Sequence, residues 1–250
     1  MAGHNKWSKV KHRKAVVDKR RGKALSMCSR AIISAARQGG PDPNFNAALR
    51  AAIEEARYHN VPGDNIERAI RKGAGGGDGE NFEPVRYEGY GPGGVAVIVE
   101  ALTDNRTRTA ANVRNLFGDH GGKMGTTGSV IHQFRHAGRV EVSAGPGDED
   151  RVLEAALNAG AEDARKGDDG SWEVECKPEH LHSVRAALQG AGLKIGEAGL
   201  DMIPTLTVSL DGPTARALLE LIDALEDDED VKKVYSNADI PDSVLAAMGD

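Results

Sequence analysis

A glycine-rich break, Gly73-Ala74-Gly75-Gly76-Gly77-Asp78-Gly79, separates two stretches of this chain with different hydrophobic periods. Before it, apolar residues recur at helical spacing. After it, short apolar runs alternate with helical segments. Two such periods predict a helical bundle followed by α/β layers rather than one uniform architecture. The break itself has no apolar strand before it and no Gly-Lys-Ser/Thr after it, so it lacks the parts of a phosphate-cradling loop. It reads as a flexible linker.

Upstream, residues 1–15 show no amphipathic period and read as an extended arm. Leu25, Cys28, Ile32 and Ala35 then line one face of a helix that Gly39-Gly40-Pro41 stops. A second helix, 46–59, turns Leu49, Ala52, Ile53 and Ala56 inward. A third follows Pro62-Gly63, with Ile66, Ala69 and Ile70 apolar, Asp64 and Glu67 at capping-box spacing, and Gly73 as its expected end.

Downstream, 95–102 reads as a buried strand. Thr103-Asp104 are cap candidates for a helix over 105–117 with Ala110, Val113 and Phe117 inward, and 129–134 reads as a strand. A strand (138–143), a helix (148–159, with Leu153, Ala156 and Leu157 inward) and a hairpin (162–165 with 171–176) come next. A helix after Pro178, carrying Leu181, Val184 and Leu188, and a strand (193–202) complete the β-α-β-β-α-β order of the ferredoxin-like plan. A strand (205–210), a helix (213–225) and a strand (231–236) form a last half-unit that pairs with the half-unit at 95–134. The expected class is α+β: an N-terminal three-helix bundle plus two ferredoxin-like α/β domains, one inserted in the other. The expected domains are 1–75 (basic arm and bundle), 80–134 plus 204–240 (discontinuous) and 137–203 (inserted).

Charge is divided along the same line. Residues 1–72 carry 16 basic and 6 acidic residues, a net of +10. The remainder carries 16 basic and 32 acidic, a net of −16, which the formal total of −6 conceals. A cationic end on an acidic body predicts a polyanion grip at one end only. The candidates are Lys6, Trp7, Lys9, Lys11, His12, Arg13, Lys14, Lys19, Arg20, Arg21 and Lys23. The cations neutralise phosphates, and Trp7 offers a surface on which a base can stack. Arg106 and Arg108 sit where a strand leads into a helix, and Arg114 lies on the same helix, which makes the three a candidate second phosphate contact. The second and third helices resemble a helix-turn-helix offering Arg68, Arg71 and Lys72, but Asp64 and Glu67 occupy the turn where base contacts belong.

No catalytic or metal-binding constellation is visible. The eight histidines show no ligand spacing, and no serine sits in a nucleophile elbow. Cys28 and Cys176 read as buried apolar residues, and 226–230, Glu-Asp-Asp-Glu-Asp, as a solvated loop. The strands lack the paired aromatics of an RNA-recognition sheet. No apolar run is long enough to span a bilayer, and no secretory signal is visible at the start of the sequence. No cofactor, small-molecule substrate or membrane partner is expected; nucleic acid is.

Gly3-His4-Asn5-Lys6-Trp7, Lys11-His12-Arg13-Lys14 and Arg21-Gly22-Lys23 carry a specific resemblance. So do Gly39-Gly40-x-Asp42-Pro43-x-x-Asn46, Asn60-Val61-Pro62-x-Asp64-Asn65-Ile66, Tyr87-Glu88-Gly89-Tyr90-Gly91-Pro92, Thr103-Asp104-Asn105-Arg106-x-Arg108-Thr109, Gly128-Ser129-Val130 and Val234-Tyr235-Ser236-Asn237. Over essentially its whole length the chain resembles the YebC/PmpR family. The resemblance implies three domains, a cytoplasmic location and no catalysis. It implies a DNA-binding transcriptional regulator or, as the alternative, a ribosome-associated translation factor that contacts rRNA or tRNA and relieves stalling at proline-rich stretches. Mitochondrial relatives act as translational activators of a cytochrome oxidase subunit. Where many relatives have a basic residue after the turn proline, this chain has Gly63. A protein-interaction scaffold using the acidic sheets is the reading from a different class.

Overall fold

The computed structural model describes residues 14–75, 81–145, 147–167, 170–241 and 244, with side chains in the first helix described from Gly22 onward. The described helices at the N-terminal end are α1 (Lys14–Gly39), α2 (Ala47–Tyr58) and α3 (Gly63–Ala74). Ile32, Ile33 and Ala36 of α1 pack against Leu49, Ile53 and Ala56 of α2 and Ile66 and Ala69 of α3. Asn46 caps α2, its side chain accepting from the Leu49 N–H. The capping box expected on α3 does not form: Pro62 is the cap residue and no side chain bonds there. Glu67 instead faces Arg71 one turn on, at 3.8 Å. Gly73 does not end α3 either. It lies inside the helix, where a methyl group would sit 2.5 Å from the Ile33 carbonyl oxygen. Its missing side chain lets α3 approach α1.

Beyond Asn81 come β1 (Glu83–Tyr90), β2 (Ala96–Thr103), α4 (Arg106–Asp119) and β3 (Lys123–Met124). After the insertion come β8 (Val208–Ser209), α7 (Gly212–Asp227), β9 (Val231–Ser236) and β10 (Ala238–Asp239). The main sheet runs β3-β1-β2-β9, every pairing antiparallel, while β8 and β10 form a separate parallel pair. Val113 and Phe117 of α4 and Leu218, Leu219, Ile222 and Leu225 of α7 cover Val97, Val99, Val231 and Val234 of this sheet. Phe82 and Leu102 join the core of the helical bundle, so bundle and sheet belong to one compact unit.

Two expectations are corrected in this sheet. Strand β1 stands where the sequence predicts no strand. Of residues 129–134, expected as a strand, only Phe134 is in one, as the first residue of the strand Phe134–Ser143, and the rest hold a turn and the short 3-10 helix Ile131–Gln133. The partner of β2 is therefore supplied by a hairpin from upstream. The helix after Thr103 is capped by Asn105, whose side chain accepts from the Arg108 N–H. Thr103 supports that cap by accepting from the Asn105 N–H at 2.9 Å.

The second compact unit is Gln133–Leu206. It contains β4 (Phe134–Ser143), α5 (Glu149–Asn158), β5 (Ala161–Lys166), β6 (Ser171–Cys176), α6 (Leu181–Gly190) and β7 (Lys194–Pro204). Its antiparallel order β5-β6-β4-β7 is the ferredoxin-like plan. Val140, Val142, Trp172, Val174, Val152, Ala156, Val184 and Leu188 form its core. On α5 the inward face is Val152 and Ala156, not the expected Leu153 and Leu157, which are 44% and 75% exposed. Thr205 returns to the point of departure: its N–H and its hydroxyl donate to the Gln133 carbonyl at 2.8 and 2.9 Å.

Candidate nucleic-acid interface

Most of the basic head identified from sequence lies outside the described residues: Lys6, Trp7, Lys9, Lys11, His12 and Arg13. Lys14, Lys19, Arg20 and Arg21 fall on α1, in the part whose side chains are not described. Lys23 is the first cation whose side chain is described, and it turns toward the molecule: its Nζ donates to the Glu226 carbonyl near the end of α7. One helix therefore carries the head's basic residues at its start and is tied to the α/β sheet unit further on.

The tie centres on a residue that sequence pattern places in a solvated loop. Asp230 is 5% exposed. Its Oδ1 accepts from Arg30 Nη1 at 3.1 Å. Its Oδ2 accepts from Arg108 Nη2 at 2.7 Å, Thr109 Oγ1 at 2.8 Å and Thr103 Oγ1 at 3.3 Å. Its carbonyl accepts from the Leu102 N–H at 2.8 Å. Burial pushes the Asp230 carboxyl up, but the Arg108 and Thr109 hydrogen bonds and the charges of Arg108 and Arg30 outweigh it and hold the group below the usual aspartate value. Arg30 also donates to the Glu229 carbonyl at 3.0 Å and stacks over the Phe82 ring, 5.0 Å from its centroid. Lys232 pairs with Glu55 of α2 at 2.9 Å. The acidic segment that ends α7 is thus a docking surface for the first two helices.

The same hub bears on the second phosphate candidate. Arg108 is held between Asp230 and Asp104, at 2.7 and 2.8 Å, and their hydrogen bonds raise its already high pKa. Arg106 lies 3.5 Å from Glu83. Arg114 is exposed two turns along α4. The three share one helix, with Arg108 already neutralised from within.

The glycine-rich turn at 121–130 is braced from β1. Glu88 is buried, and its carboxylate accepts from the N–H groups of Gly128 at 2.9 Å, Val130 at 2.8 Å and Ile131 at 2.9 Å. Burial raises its pKa, but the three backbone donors prevail and hold it below the usual glutamate value. Tyr90 donates its hydroxyl to the Ser129 carbonyl at 3.0 Å. Sequence pattern alone assigns this turn no role; Glu88 explains its shape.

A second braced turn precedes α2. The Asn46 side-chain amide donates to the carbonyls of Ala35 and Gly40, at 2.8 Å each. Asp42 accepts from the Asn44 N–H at 2.9 Å, and Arg50 Nη1 donates to the Pro43 carbonyl at 2.9 Å. Phe45 projects from this turn, 89% exposed. On α3, by contrast, the exposed first turn carries Asp64 and Glu67, and the buried face is committed to α1. That is not the geometry of a helix reading bases. Both cysteines are buried, and desolvation pushes Cys28 up to about 11, so neither is a reactive thiol. Among the described residues no group of histidine, cysteine or acidic side chains could hold a metal ion, and no helix is long and apolar enough to cross a membrane.

The described structure joins an N-terminal helical region to antiparallel α/β domains and spends Asp230, Glu88 and Asn46 on bracing. The chain belongs to the TACO1/YebC family, which is non-enzymatic: residues 5–76 match the family's N-terminal domain and residues 82–238 its second and third domains. A "Probable transcriptional regulatory protein" of Hahella chejuensis is 51% identical over 249 residues, covering 100% of both chains. One of Rubrobacter xylanophilus is 49% identical, covering 99% of each. A crystal structure of a conserved hypothetical protein from Aquifex aeolicus superposes with a TM-score of 0.82 at 47% identity, covering 93% of this chain and 96% of that one.

Proposed function

We propose that this chain is a cytoplasmic, non-enzymatic regulator that grips nucleic-acid phosphates with the basic residues of its first domain, acting on promoter DNA as a transcriptional regulator. The observation that carries the reading is the division of charge: net +10 over residues 1–72 and net −16 over the rest. An acidic body is repelled by a polyanion, so contact is concentrated in the head. The names of the relatives agree with a role in transcription. In this reading 1–75 is the principal binding domain, and the acidic α/β domains (80–134 plus 204–240, and 137–203) add little beyond Arg106 and Arg114. Arg106 and Arg114 add a second phosphate contact, joined by Arg108 only where phosphate displaces its carboxylates. No cofactor, small-molecule substrate or membrane takes part.

Replacing Lys9, Lys11, Arg13 and Lys14 by alanine tests this reading. Binding weakens, and the slope of log K against log salt falls by up to about 0.9 for each duplex phosphate no longer neutralised. An unchanged slope overturns the reading and favours the protein-interaction scaffold.

A second reading is favoured by α3. Its exposed first turn carries carboxylates, so α3 offers no base-reading end. Sequence-independent contact suits a folded RNA surface, and the alternative is a ribosome-associated translation factor touching rRNA or tRNA and relieving stalling at proline-rich stretches. Crosslinking in intact cells, with both DNA and RNA sequenced, separates the two. Discrete promoter peaks support transcription, and enrichment of rRNA supports the ribosome.

A further inference from the structure

We infer that Phe45 is a stacking platform for an unpaired nucleobase, with Arg50 beside it to neutralise the adjoining phosphate. This rests on the nucleic-acid-binding reading above and adds to it a residue and a class of ligand, a single-stranded segment. Phe45 is the most exposed large apolar side chain among the described residues, at 89%. A phenyl ring left in water gains nothing for folding, and its face is available to an external partner.

The turn that carries it is built to hold it still. Asn46, directly after Phe45, is buried and makes three hydrogen bonds: to the carbonyls of Ala35 and Gly40, and from the Leu49 N–H. Gly39 lies so close to Asn46 that a methyl group there would come within 2.6 Å of its amide nitrogen. On the other side, the Phe45 N–H donates to the Asp42 carbonyl at 3.2 Å, and Asp42 closes a turn on Asn44. A backbone fixed on both flanks presents the ring with little ordering left to do on binding. Ala47, Ala48 and Ala51 are exposed and end in methyl groups, which leaves Arg50 as the long α2 side chain that reaches the turn.

Charge selects the partner. Arg50 is exposed, and its guanidinium is held at the Pro43 carbonyl, two residues from the ring's backbone. The domain as a whole is net +10 over residues 1–72. A π-face and a fixed cation on a basic domain fit a base and its phosphate. A protein partner is the weaker fit. One ring contributes about 150–250 Å², and with three alanine methyls this falls short of the ~800 Å² per partner of a stable interface.

The test uses the full chain, a short labelled single-stranded RNA, and the same sequence as a duplex. Phe45→Ala weakens single-strand binding about tenfold, leaves the salt slope unchanged because no cation is removed, and leaves duplex binding unchanged. Phe45→Trp retains wild-type binding, whereas Phe45→Leu, apolar but without a π-face, behaves like alanine. The variants keep the wild-type melting temperature because the side chain buries nothing. Single-strand binding by Phe45→Ala equal to wild type overturns the inference and leaves the charge-based reading standing. Rescue by leucine as full as by tryptophan also overturns it. So does a loss of self-association in sedimentation, which would assign the ring to a second copy of the chain. If the wild-type chain binds neither probe, the nucleic-acid reading fails first, and the inference with it.

Discussion

Asp230 and Glu88 are both buried acids, yet each remains a carboxylate because donors surround it. Asp230→Ala strips Arg30 and Thr109 of a partner and leaves Arg108 with Asp104 alone. Losing one member of a buried charged cluster costs about 3 kcal/mol, so the denaturation midpoint drops well below wild type; a midpoint within error of it would show the hub to be dispensable. Glu88 gives a pH signature. Its pKa is lower folded than unfolded, so the folded chain binds fewer protons. Its contribution is full above the ordinary carboxylate pKa and is lost as pH falls through the folded value. The stability gap between wild type and Glu88→Gln, about 1–3 kcal/mol near neutrality, therefore closes as pH falls below the ordinary carboxylate range. Urea titrations near neutrality and below that range measure it, and a constant gap refutes it. Neither role is legible in the sequence. Asp230 stands in a run of acids that reads as solvent-facing, and its partner Arg30 is 200 residues away.

Among the elements, the three helices of the basic domain are legible because their apolar residues keep one period, as Leu49, Ala52, Ile53 and Ala56 do. Strand β1 escapes sequence reading because Glu83-Pro84-Val85-Arg86-Tyr87-Glu88-Gly89-Tyr90 has no apolar run, and its glycine argues against a strand. That glycine is required there: a methyl group on Gly89 would sit 2.8 Å from the Lys123 carbonyl and from Phe117. Residues 129–133 mislead through Val130 and Ile131, apolar residues used to seat a turn and a 3-10 helix. On α5, Leu153 and Leu157 outweigh Val152 by size alone. Two glycines give opposite predictions. Gly73→Ala drives a methyl into the Ile33 carbonyl at 2.5 Å and lowers stability by about 1–3 kcal/mol. Gly22→Ala on α1 meets nothing within 4 Å and raises stability by up to about 1 kcal/mol through helix propensity. Thermal melts of the two variants should move to opposite sides of wild type. A Gly73→Ala melt at or above the wild-type value would mean that α1 and α3 do not approach closely.

At the scale of the whole molecule, Gln133–Leu206 has its own core and a complete sheet. Expressed alone, it should unfold in a single cooperative transition, read by circular dichroism in urea. A broad, non-cooperative loss of signal would show that it depends on the remainder of the chain. The alternation of strands and helices reveals this unit in the sequence because its connections are local. The host sheet is harder to read, since β2 pairs with β9 across the insertion. The Gln133 carbonyl receives both donors of Thr205, so the strand that leaves the host and the strand that comes back are fastened at one point. Tension applied at the two ends of the polypeptide would be shunted across that fastening. The spliced-in module would stay slack until the clasp gave way, and in a pulling experiment it would yield only after its host had been loaded.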